Sequence, residues 1–549
     1  MKAIDLYSGI GGWTLGLRAA GIETVASYEW WTPANITHER NLGAHTHEVD
    51  IRALPLEALP SGIDVVVGSP PCTQFSYANR GGNGDIADGL RDIAKFLEVV
   101  EHLSPRYWAM ENVPRVAQVL DMELGPTGSL RRFAHLFDVI EVVDASDFGL
   151  PQRRRRMVAG RFPSTLLRSY TCHLHAPSLG DVVRALTMSV VHDPCWGFDV
   201  PLPEVTELER EPSLTLEEER MNRESKEHHP VYNRMAFPDP LDRTARTVTA
   251  TCTRVSRESI VISDDRTDGV RRLSVRERAC LQGFPISFQF YGKSHSDKLK
   301  MIGNAIPPVL TYYLGCAMQG IQAEAIVPAL NLGVVAPMPS VAAPRTVPEA
   351  SKGKHGANRR FRAAIPGLRF GSGTRFELAN QFPNDRAIWN VRFYHGSSKD
   401  VRMIHPDSRV WDAVAQSGLR VELSAVRSQL SNSLTPTLRG MTSVGVQQAW
   451  VAGQSDGMHP HLLVDQLGAA AAVVESMLPP EFELVAGEGL LGVLHTLAAE
   501  PSPLERSRSD KLIGNARSIT AGLLVAAWFN STFDNDPCRA EHSPSDAAA

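Results

Sequence analysis

The stretch GSPPCTQFS places a cysteine, Cys72, between a Pro-Pro pair and a polar run. The chain has seven cysteines, and their wide spacing argues against both a disulfide framework and a zinc knuckle. Cys72 therefore either fills buried space or acts as a nucleophile. Two features favour the nucleophile. The prolines stiffen the backbone where it leaves a predicted strand, and Glu111 lies at the end of a neighbouring predicted strand.

Three other predicted strand ends carry residues that suit a nucleoside. A Gly-rich turn in DLYSGIGGW opens a helix and allows close backbone approach, but its spacing is not the GxGxxG of a dinucleotide site. Glu29 offers a carboxylate to ribose hydroxyls, and Trp30 offers an indole to adenine. Asp50 and Ile51 suit an exocyclic amine and an apolar wall. These residues predict a nucleoside-type cofactor site without a phosphate.

Short apolar runs alternate with amphipathic stretches over the first 160 residues. This alternation predicts βαβ units and hence an α/β fold with a Rossmann-like, doubly wound, mostly parallel sheet. Ligands of such sheets lie beyond the carboxyl ends of the strands. The Gly-rich turn, Glu29, Asp50 and Cys72 should therefore meet at one edge.

The 549 residues are too many for one hydrophobic core, so we expect several domains. The predicted order is a catalytic domain over 1–162, a small inserted domain over 163–268, a return to the catalytic domain over 269–325, a linker over 326–357 and a C-terminal domain over 358–549. A short echo of 294–308 at 507–519 fits chance as well as a decayed repeat.

The net charge of −5 gives no overall signal for nucleic-acid binding, although arginines cluster at 153–156. We find no signal peptide and no apolar run of about 18 residues, so no membrane segment is expected. The unpaired cysteines indicate a reducing, cytoplasmic compartment.

A series of motifs, in order, resembles the DNA (cytosine-5)-methyltransferases that use S-adenosylmethionine. The resemblance covers residues 1 to about 322 and rests on DLYSGIGG, YEWW, DIR, PPCTQFS, ENV, QRRRR, RRLSVRERACLQGFP and GNAIPP. It implies methyl transfer to C5 of a cytosine that is flipped out of double-stranded DNA, through a covalent bond between Cys72 and C6. It also implies that 163–268 is the target-recognition domain, and it implies no metal.

The resemblance also implies roles for individual residues. Cys72 would be the nucleophile, Glu111 the carboxyl group that contacts the base, and Arg154 and Arg156 the pair that steadies the target nucleotide and the active-site loop. The implied cofactor pocket consists of Tyr7, Gly9, Ile10, Gly12, Glu29, Trp30, Asp50, Ile51, Pro71, Leu90 and Asn304. The implied DNA contacts are Ser76, Gln152 and Arg153.

Two positions depart from the family pattern. Tyr7 stands where the family commonly has Phe, which keeps the ring and adds a hydroxyl group. Thr73 follows the cysteine where the family commonly has Gln.

Two other functions stay open. One branch of the family modifies a tRNA cytosine with the same groups, although the long insert here favours duplex DNA. A DNA-binding regulator that has lost catalysis is the second, and intact Cys72, Glu111 and Arg154 argue against it. We expect a monomer with a possible companion restriction endonuclease. For 358–549 we weigh a DNA-contacting domain, a decayed repeat and a scaffold.

Overall fold

The computed structural model describes most of the chain and divides it into two compact units. The first unit comprises Met1–Leu214 and Ala236–Ala350, and the second comprises Thr215–Met235 and Ser351–Ala549. The described residues are 1–43, 45–75, 84–227, 234–351, 355–371, 373–397, 400–417, 421–453, 459–479, 490, 493, 494, 497 and 512–533.

The first unit contains a seven-stranded sheet in the order β3-β2-β1-β4-β5-β7-β6. Strands β1 to β5 pair in parallel, whereas β7 runs antiparallel to both β5 and β6. The predicted α/β fold with a doubly wound, mostly parallel sheet is therefore confirmed. The strands are β1 (Lys2–Leu6), β2 (Glu23–Glu29), β3 (Thr46–Glu48), β4 (Val65–Gly68), β5 (Tyr107–Asn112), β6 (Val139–Asp144) and β7 (Arg155–Arg161).

Helices cover both faces of this sheet, which explains why its central strands are continuously apolar. Strand β4, with the sequence VVVG, is buried along its whole length. Gly16 lets one helix approach another closely, because a Cβ atom there would lie 2.0 Å from the Thr311 hydroxyl. The helices that flank the sheet include α1 (Gly12–Ala19), α2 (Thr32–Leu42), α3 (Ile86–Leu103), α4 (Arg115–Glu123) and, after the insert, α10 (Pro308–Met318).

Short elements make up most of the region between β7 and residue 268, as its irregular sequence suggests. They are α5 (Ser164–Ser169), α6 (Leu179–Ala185), β8 (Val190–His192), β9 (Asp199–Pro201), α7 (Leu216–Glu227) and β10 (Val261–Ser263). Three elements then lead back to the main sheet: β11 (Val270–Arg272), α8 (Val275–Leu281) and α9 (His295–Asn304). Capping boxes at Ser274 and Ser294 define the starts of the two helices.

The second unit has its own four-stranded antiparallel sheet and its own core. Its strands are β12 (Arg362–Arg369), β13 (Arg375–Gln381), β14 (Ile388–Ser397) and β15 (Asp400–Ile404). Buried Phe376, Leu378 and Phe393 join residues of the helices in one apolar cluster. The helices are α11 (Arg409–Gln416), α12 (Leu423–Leu438), α13 (Ser443–Ala452), α14 (Pro460–Met477) and α15 (Ala516–Thr532).

The two units differ from the predicted segments in two places. Helix α7 lies inside the predicted 163–268 domain, yet it belongs to the second unit because its ion-pair partners Arg359, Arg369 and Asp465 are there. Residues 326–350, predicted as linker, belong to the first unit, where Ala329 and Ala336 are buried in its core.

Within the part of the chain that the structure describes, no helix is both long enough and apolar enough to cross a membrane.

Candidate active site

The carboxyl ends of five parallel strands bring the predicted site residues to one edge of the first unit's sheet. Residue Leu6 pairs with both Tyr28 and Gly68, and Gly68 pairs with Met110, so these strands end at nearly the same level. The segments that follow them carry the Gly-rich turn, Trp30, Asp50 and Cys72. Strand β5 itself ends with Glu111 and Asn112.

The Gly-rich turn after β1 depends on a left-handed backbone. Tyr7, Gly9 and Gly11 have φ values of 55°, 51° and 88°. A Cβ atom on Gly9 would meet nothing within 4 Å, whereas one on Gly12 would lie 2.3 Å from the Ile306 carbonyl oxygen. Gly9 therefore leaves open space beside the turn, while Gly12 allows α1 to pack closely on the chain before α10.

The Glu29 carboxylate is fixed by two backbone donors at the end of β2. Its oxygens accept hydrogen bonds from the N–H groups of Gly9 at 3.0 Å and Trp31 at 2.9 Å. Burial raises the pKa of Glu29, and these bonds oppose that rise. Each oxygen keeps a lone pair for a further hydroxyl group. The neighbouring Trp30 leaves 64% of its surface exposed, so its indole ring is available to a ligand.

The other predicted pocket residues surround this edge. Asp50 caps a short helical turn by accepting a hydrogen bond from the Arg52 N–H at 3.0 Å, and Ile51 beside it is buried. Leu90 is half-buried on α3. Of the remaining members, Ile10 is buried, and Pro71 and Asn304 are exposed.

Cys72 lies four residues beyond the end of β4, with a free and half-buried thiol. Burial raises its pKa and the Glu111 carboxylate raises it further, while Arg156 and Arg154 oppose the rise. The Asn112 side chain donates a hydrogen bond to the Pro70 carbonyl at 3.1 Å and so fixes the backbone before the cysteine. The thiol is thus held in place and stays protonated in the free protein.

Glu111 and Arg156 form an ion pair beside the thiol. The Arg156 Nε atom lies 2.8 Å from a Glu111 carboxylate oxygen, and both side chains are largely buried, with 13% and 7% exposed. Register explains the contact, because Glu111 and Asn112 pair with Val158 and Met157 on β7. The pair orients the Glu111 carboxylate and leaves its second oxygen available to another group.

Arg154 is buried and connects three segments of the first unit. Its guanidinium donates to the carbonyl oxygens of Val248 at 2.9 Å, Gly303 at 3.0 Å and Ala305 at 3.1 Å. Burial lowers its pKa well below the ordinary value. These bonds place Arg154 between the 163–268 region and the end of α9, where Asn304 lies.

The predicted DNA contact at Gln152 needs correction. Gln152 is fully buried, and its amide bonds to the Leu281 carbonyl, the Gln282 side chain and the Val248 N–H at 2.7–3.0 Å. It therefore connects internal segments and presents no side chain to DNA. Arg153 leaves 73% of its side chain exposed and stays a predicted DNA contact. Ser76 lies outside the described residues.

Sequence reasoning missed the polar residues beneath the Gly-rich turn. Asp5 is fully buried, accepts a hydrogen bond from the Thr14 hydroxyl at 2.9 Å, and has a pKa raised by burial to about 8. His38 is also buried, and its pKa is lowered by burial to about 4. An acidic residue inside the apolar run KAIDL was a usable signal. No sequence signal pointed to His38, because the residues around it do not indicate that it lies near Gly11.

Among the described residues, no group of three or more His, Cys, Asp or Glu side chains converges as metal ligands would.

The strand order, with antiparallel β7 inserted between β5 and β6, defines a class I methyltransferase fold. The sequence specifies the family more closely. The family model described as C-5 cytosine-specific DNA methylase matches residues 1–320, and the chain belongs to this family. It is accordingly a DNA (cytosine-5)-methyltransferase.

Relatives and solved structures match the same part of the chain. The Type II methyltransferase M.HgiDI of Herpetosiphon aurantiacus is 30% identical over 342 residues, covering 58% of this chain and 94% of the relative. The Type II methyltransferase M.NgoPII of Neisseria gonorrhoeae is 26% identical over 339 residues, covering 58% and 95%. A crystal structure of the S. pombe Dnmt2 methyltransferase shares 17% identity with a TM-score of 0.41, covering 57% and 96%.

Proposed function

We propose that the first unit transfers a methyl group from S-adenosylmethionine to C5 of a cytosine in duplex DNA, through a covalent bond between Cys72 and C6 of the base. The observation that carries this proposal is the placement of a fixed thiol beside the Glu111–Arg156 ion pair, at the sheet edge that also carries Glu29 and Trp30. Membership in the methylase family supports the same reaction.

The pocket residues fit S-adenosylmethionine. Glu29 is held by two N–H groups and keeps lone pairs for ribose hydroxyls. The Trp30 indole is exposed, and the space beside Gly9 is open. Asp50 and Ile51 would hold the adenine edge, with Pro71, Leu90 and Asn304 around them. When bound, S-adenosylmethionine supplies the methyl group from its sulfonium.

The covalent step gives C5 the nucleophilic character that it lacks. The Cys72 thiolate forms a bond to C6, and the electron pair of the C5–C6 double bond becomes available at C5. Glu111 stabilises the charge that develops on the ring by sharing a proton with N3 of the base. After the methyl group is in place, transfer of the C5 proton to water returns an electron pair that re-forms the C5–C6 double bond and expels Cys72 as the thiolate.

The thiol must give up its proton to solvent before the bond to C6 forms, and its environment favours this loss only once the substrate is bound. Burial and Glu111 keep the Cys72 pKa high in the free protein. Once Glu111 engages the base, its charge opposes the thiolate less, and Arg156 and Arg154 favour it. Arg154 also holds the chain near Asn304 through its three carbonyl contacts.

A cytosine stacked in a duplex cannot reach Cys72, so the base must rotate out of the helix. We assign base recognition to the 163–268 region and phosphate contact to exposed Arg153. Because the curated relatives named above are Type II methyltransferases, we also propose a monomeric, cytoplasmic modification enzyme with a companion restriction endonuclease. DNA contact by the second unit stays a prediction.

The test is methyl transfer from labelled S-adenosylmethionine to unmethylated genomic DNA, followed by bisulfite mapping. We expect label on C5 of cytosine in one sequence context, lost in Cys72→Ala and retained in the control Cys172→Ala, which changes an exposed cysteine. Label on tRNA alone would replace DNA as the substrate. A protein that binds DNA and cofactor but labels neither nucleic acid would be a silent regulator.

A further inference from the structure

A continuous set of polar contacts links the cofactor edge of the first unit to the segment that carries Cys72. It begins at the hydroxyl group that distinguishes Tyr7 from the family's usual Phe. This hydroxyl donates to Asp92 on α3, with the carboxylate oxygen and the Asp92 carbonyl each at 3.2 Å. Asp92 is buried, so its charge requires partners.

Arg52 is the central member of this set. Its Nε and one terminal nitrogen bind both oxygens of Asp92 at 2.8 and 2.6 Å. Its other terminal nitrogen reaches the Asp88 carboxylate at 2.8 Å. Bidentate charge-assisted bonds of this kind fix direction as well as distance. Arg52 immediately follows Asp50 and Ile51, so one arginine joins the predicted adenine contacts to α3.

The contacts then continue to the cysteine segment. The Gln74 side chain donates to the second Asp88 oxygen at 3.5 Å and accepts a hydrogen bond from the Asp85 N–H at 2.9 Å. Gln74 lies two residues after Cys72. Asp85 is the N-cap of α3. The amide group of Gln74 therefore bridges the end of the cysteine segment and the start of α3.

Close packing also holds the cysteine segment against the start of α3. Phe75 is fully buried, and a Cβ atom added to Gly89 would lie 2.6 Å from its ring. A Cβ atom on Gly84 would lie 2.1 Å from the Gln74 carbonyl oxygen. Gly84 and Gly89 thus pack directly against Gln74 and Phe75. A shift of α3 therefore moves the backbone that follows Cys72.

We propose that Arg52, Asp88 and Asp92 are positioning residues that couple occupancy of the cofactor pocket to placement of the Cys72 segment on DNA. This inference rests on the proposed function of the same site. Cofactor contacts at Tyr7, Asp50 and Leu90 order the Arg52 end of the set. Asp88 and Gln74 then hold the cysteine segment in its DNA-binding position.

The coupling is measured as a thermodynamic linkage in the full-length protein. The dissociation constant for the duplex identified by bisulfite mapping is determined with and without saturating S-adenosylhomocysteine. We expect the wild type to bind DNA at least about five-fold more tightly with the cofactor product present. Asp88→Asn should bring this ratio close to one, and Tyr7→Phe, which removes only the hydroxyl group, should reduce it by a smaller factor.

Glu98→Gln is the matched control, since Glu98 lies on the same helix in a partly exposed ion pair with Arg132 at 3.1 Å. It should keep the wild-type ratio. In Asp88→Asn, kcat should fall more than the KM for S-adenosylmethionine changes, because Asp88 reaches the Cys72 segment through Gln74. A loss of helix stability alone would lower the melting temperature and leave the ratio intact.

An unchanged ratio in both Asp88→Asn and Tyr7→Phe would overturn the inference, as would an equal loss in Glu98→Gln. A wild-type ratio of one would also overturn it. In that case methyl transfer by the same sample leaves the proposed function standing, whereas absence of methyl transfer counts against the proposed function itself.

Discussion

The two units use similar ion pairs for different purposes. In the first unit, the Glu111–Arg156 pair at 2.8 Å lies beside a half-buried thiol and keeps a carboxylate oxygen available. In the second unit, Glu217 contacts Arg359 at 2.6 Å and His459 at 3.2 Å. There both partners serve to hold a helix. The contrast teaches that a buried carboxylate indicates chemistry only when a reactive group lies next to it.

Helix α7 shows why the second unit needs such pairs. Its sequence, LEEERMNRESKE, has only Leu216 and Met221 as large apolar residues, and a short helix of this polarity is not stable alone. Arg220 binds both oxygens of Asp465 at 2.7 and 2.8 Å, and Glu224 pairs with Arg369. Met221 packs on the second unit's core. Charged contacts therefore replace the usual apolar stripe.

Replacing the buried glutamate by glutamine in each unit should give the largest difference in kcat between the catalytic pair and the structural pair. Glu111→Gln removes the proton-sharing carboxyl group beside Cys72, so kcat for DNA methylation should fall by about 10²- to 10⁴-fold. Glu217→Gln should leave kcat within a few-fold of wild type. Single-turnover methyl transfer measures both, and a similar loss of kcat in the two variants would contradict the distinction.

The pH dependence of stability should run in opposite directions in the two units. The pKa of Asp5 is raised to about 8, so Asp5 stabilises the first unit less as pH rises, whereas the lowered pKa of His38 has the opposite effect between about pH 4 and about pH 6.5. The first unit therefore loses stability mainly as pH rises from about 6.5 to about 8. The pKa of His461 is lowered to about 3 by burial, so the second unit loses stability as pH falls from about 6.5 to about 3.

Two substitutions test these assignments. Asp5→Asn should remove much of the pH dependence of the first unit's unfolding free energy above about pH 6.5, and His461→Phe much of that of the second. Urea unfolding between pH 4 and pH 8, followed by probes in each unit, measures both. Parallel pH profiles for the two units, or profiles that the variants leave unchanged, would refute the assignment.

Loss of a partner for α7 should have a moderate effect on stability. Glu217→Gln weakens two contacts in which 14% or less of each side chain is exposed, so we expect the unfolding free energy of the second unit to fall by about 2 kcal/mol. Glu98→Gln, in a more exposed pair of the first unit, should cost less than about 1 kcal/mol. Equal losses would mean that the buried Glu217 contacts add no more stability than an exposed ion pair.

The smallest expected effect concerns thiol reactivity. Because burial and Glu111 raise the Cys72 pKa, iodoacetamide at pH 8 should modify Cys72 several-fold more slowly than exposed Cys172. Arg156→Gln should slow Cys72 further, since Arg156 favours the thiolate. Mass spectrometry of labelled peptides gives both rates, and faster labelling of Cys72 would contradict its assigned environment.

The sequence was sufficient for the sheet and for the residues at its edge, because strand ends and glycine turns leave local patterns. It was insufficient for Gln152, whose neighbours in QRRRR suggested exposure although its amide is satisfied by Leu281, Gln282 and Val248. It was also insufficient for α7. The partners of that helix lie more than 140 residues further along the chain, and ion pairs at such separation have no local signature.

The chain passes between the two units three times, after residues 214, 235 and 350. A gene exchange with a single crossover near residue 350 would therefore transfer 351–549 without the helix that completes its fold. The partners of each ion pair, Glu217 with Arg359 and Arg220 with Asp465, must be inherited together. Residues 269–325, which belong to the first unit, are encoded between them. The second unit and the region that we assign to target recognition must consequently evolve together.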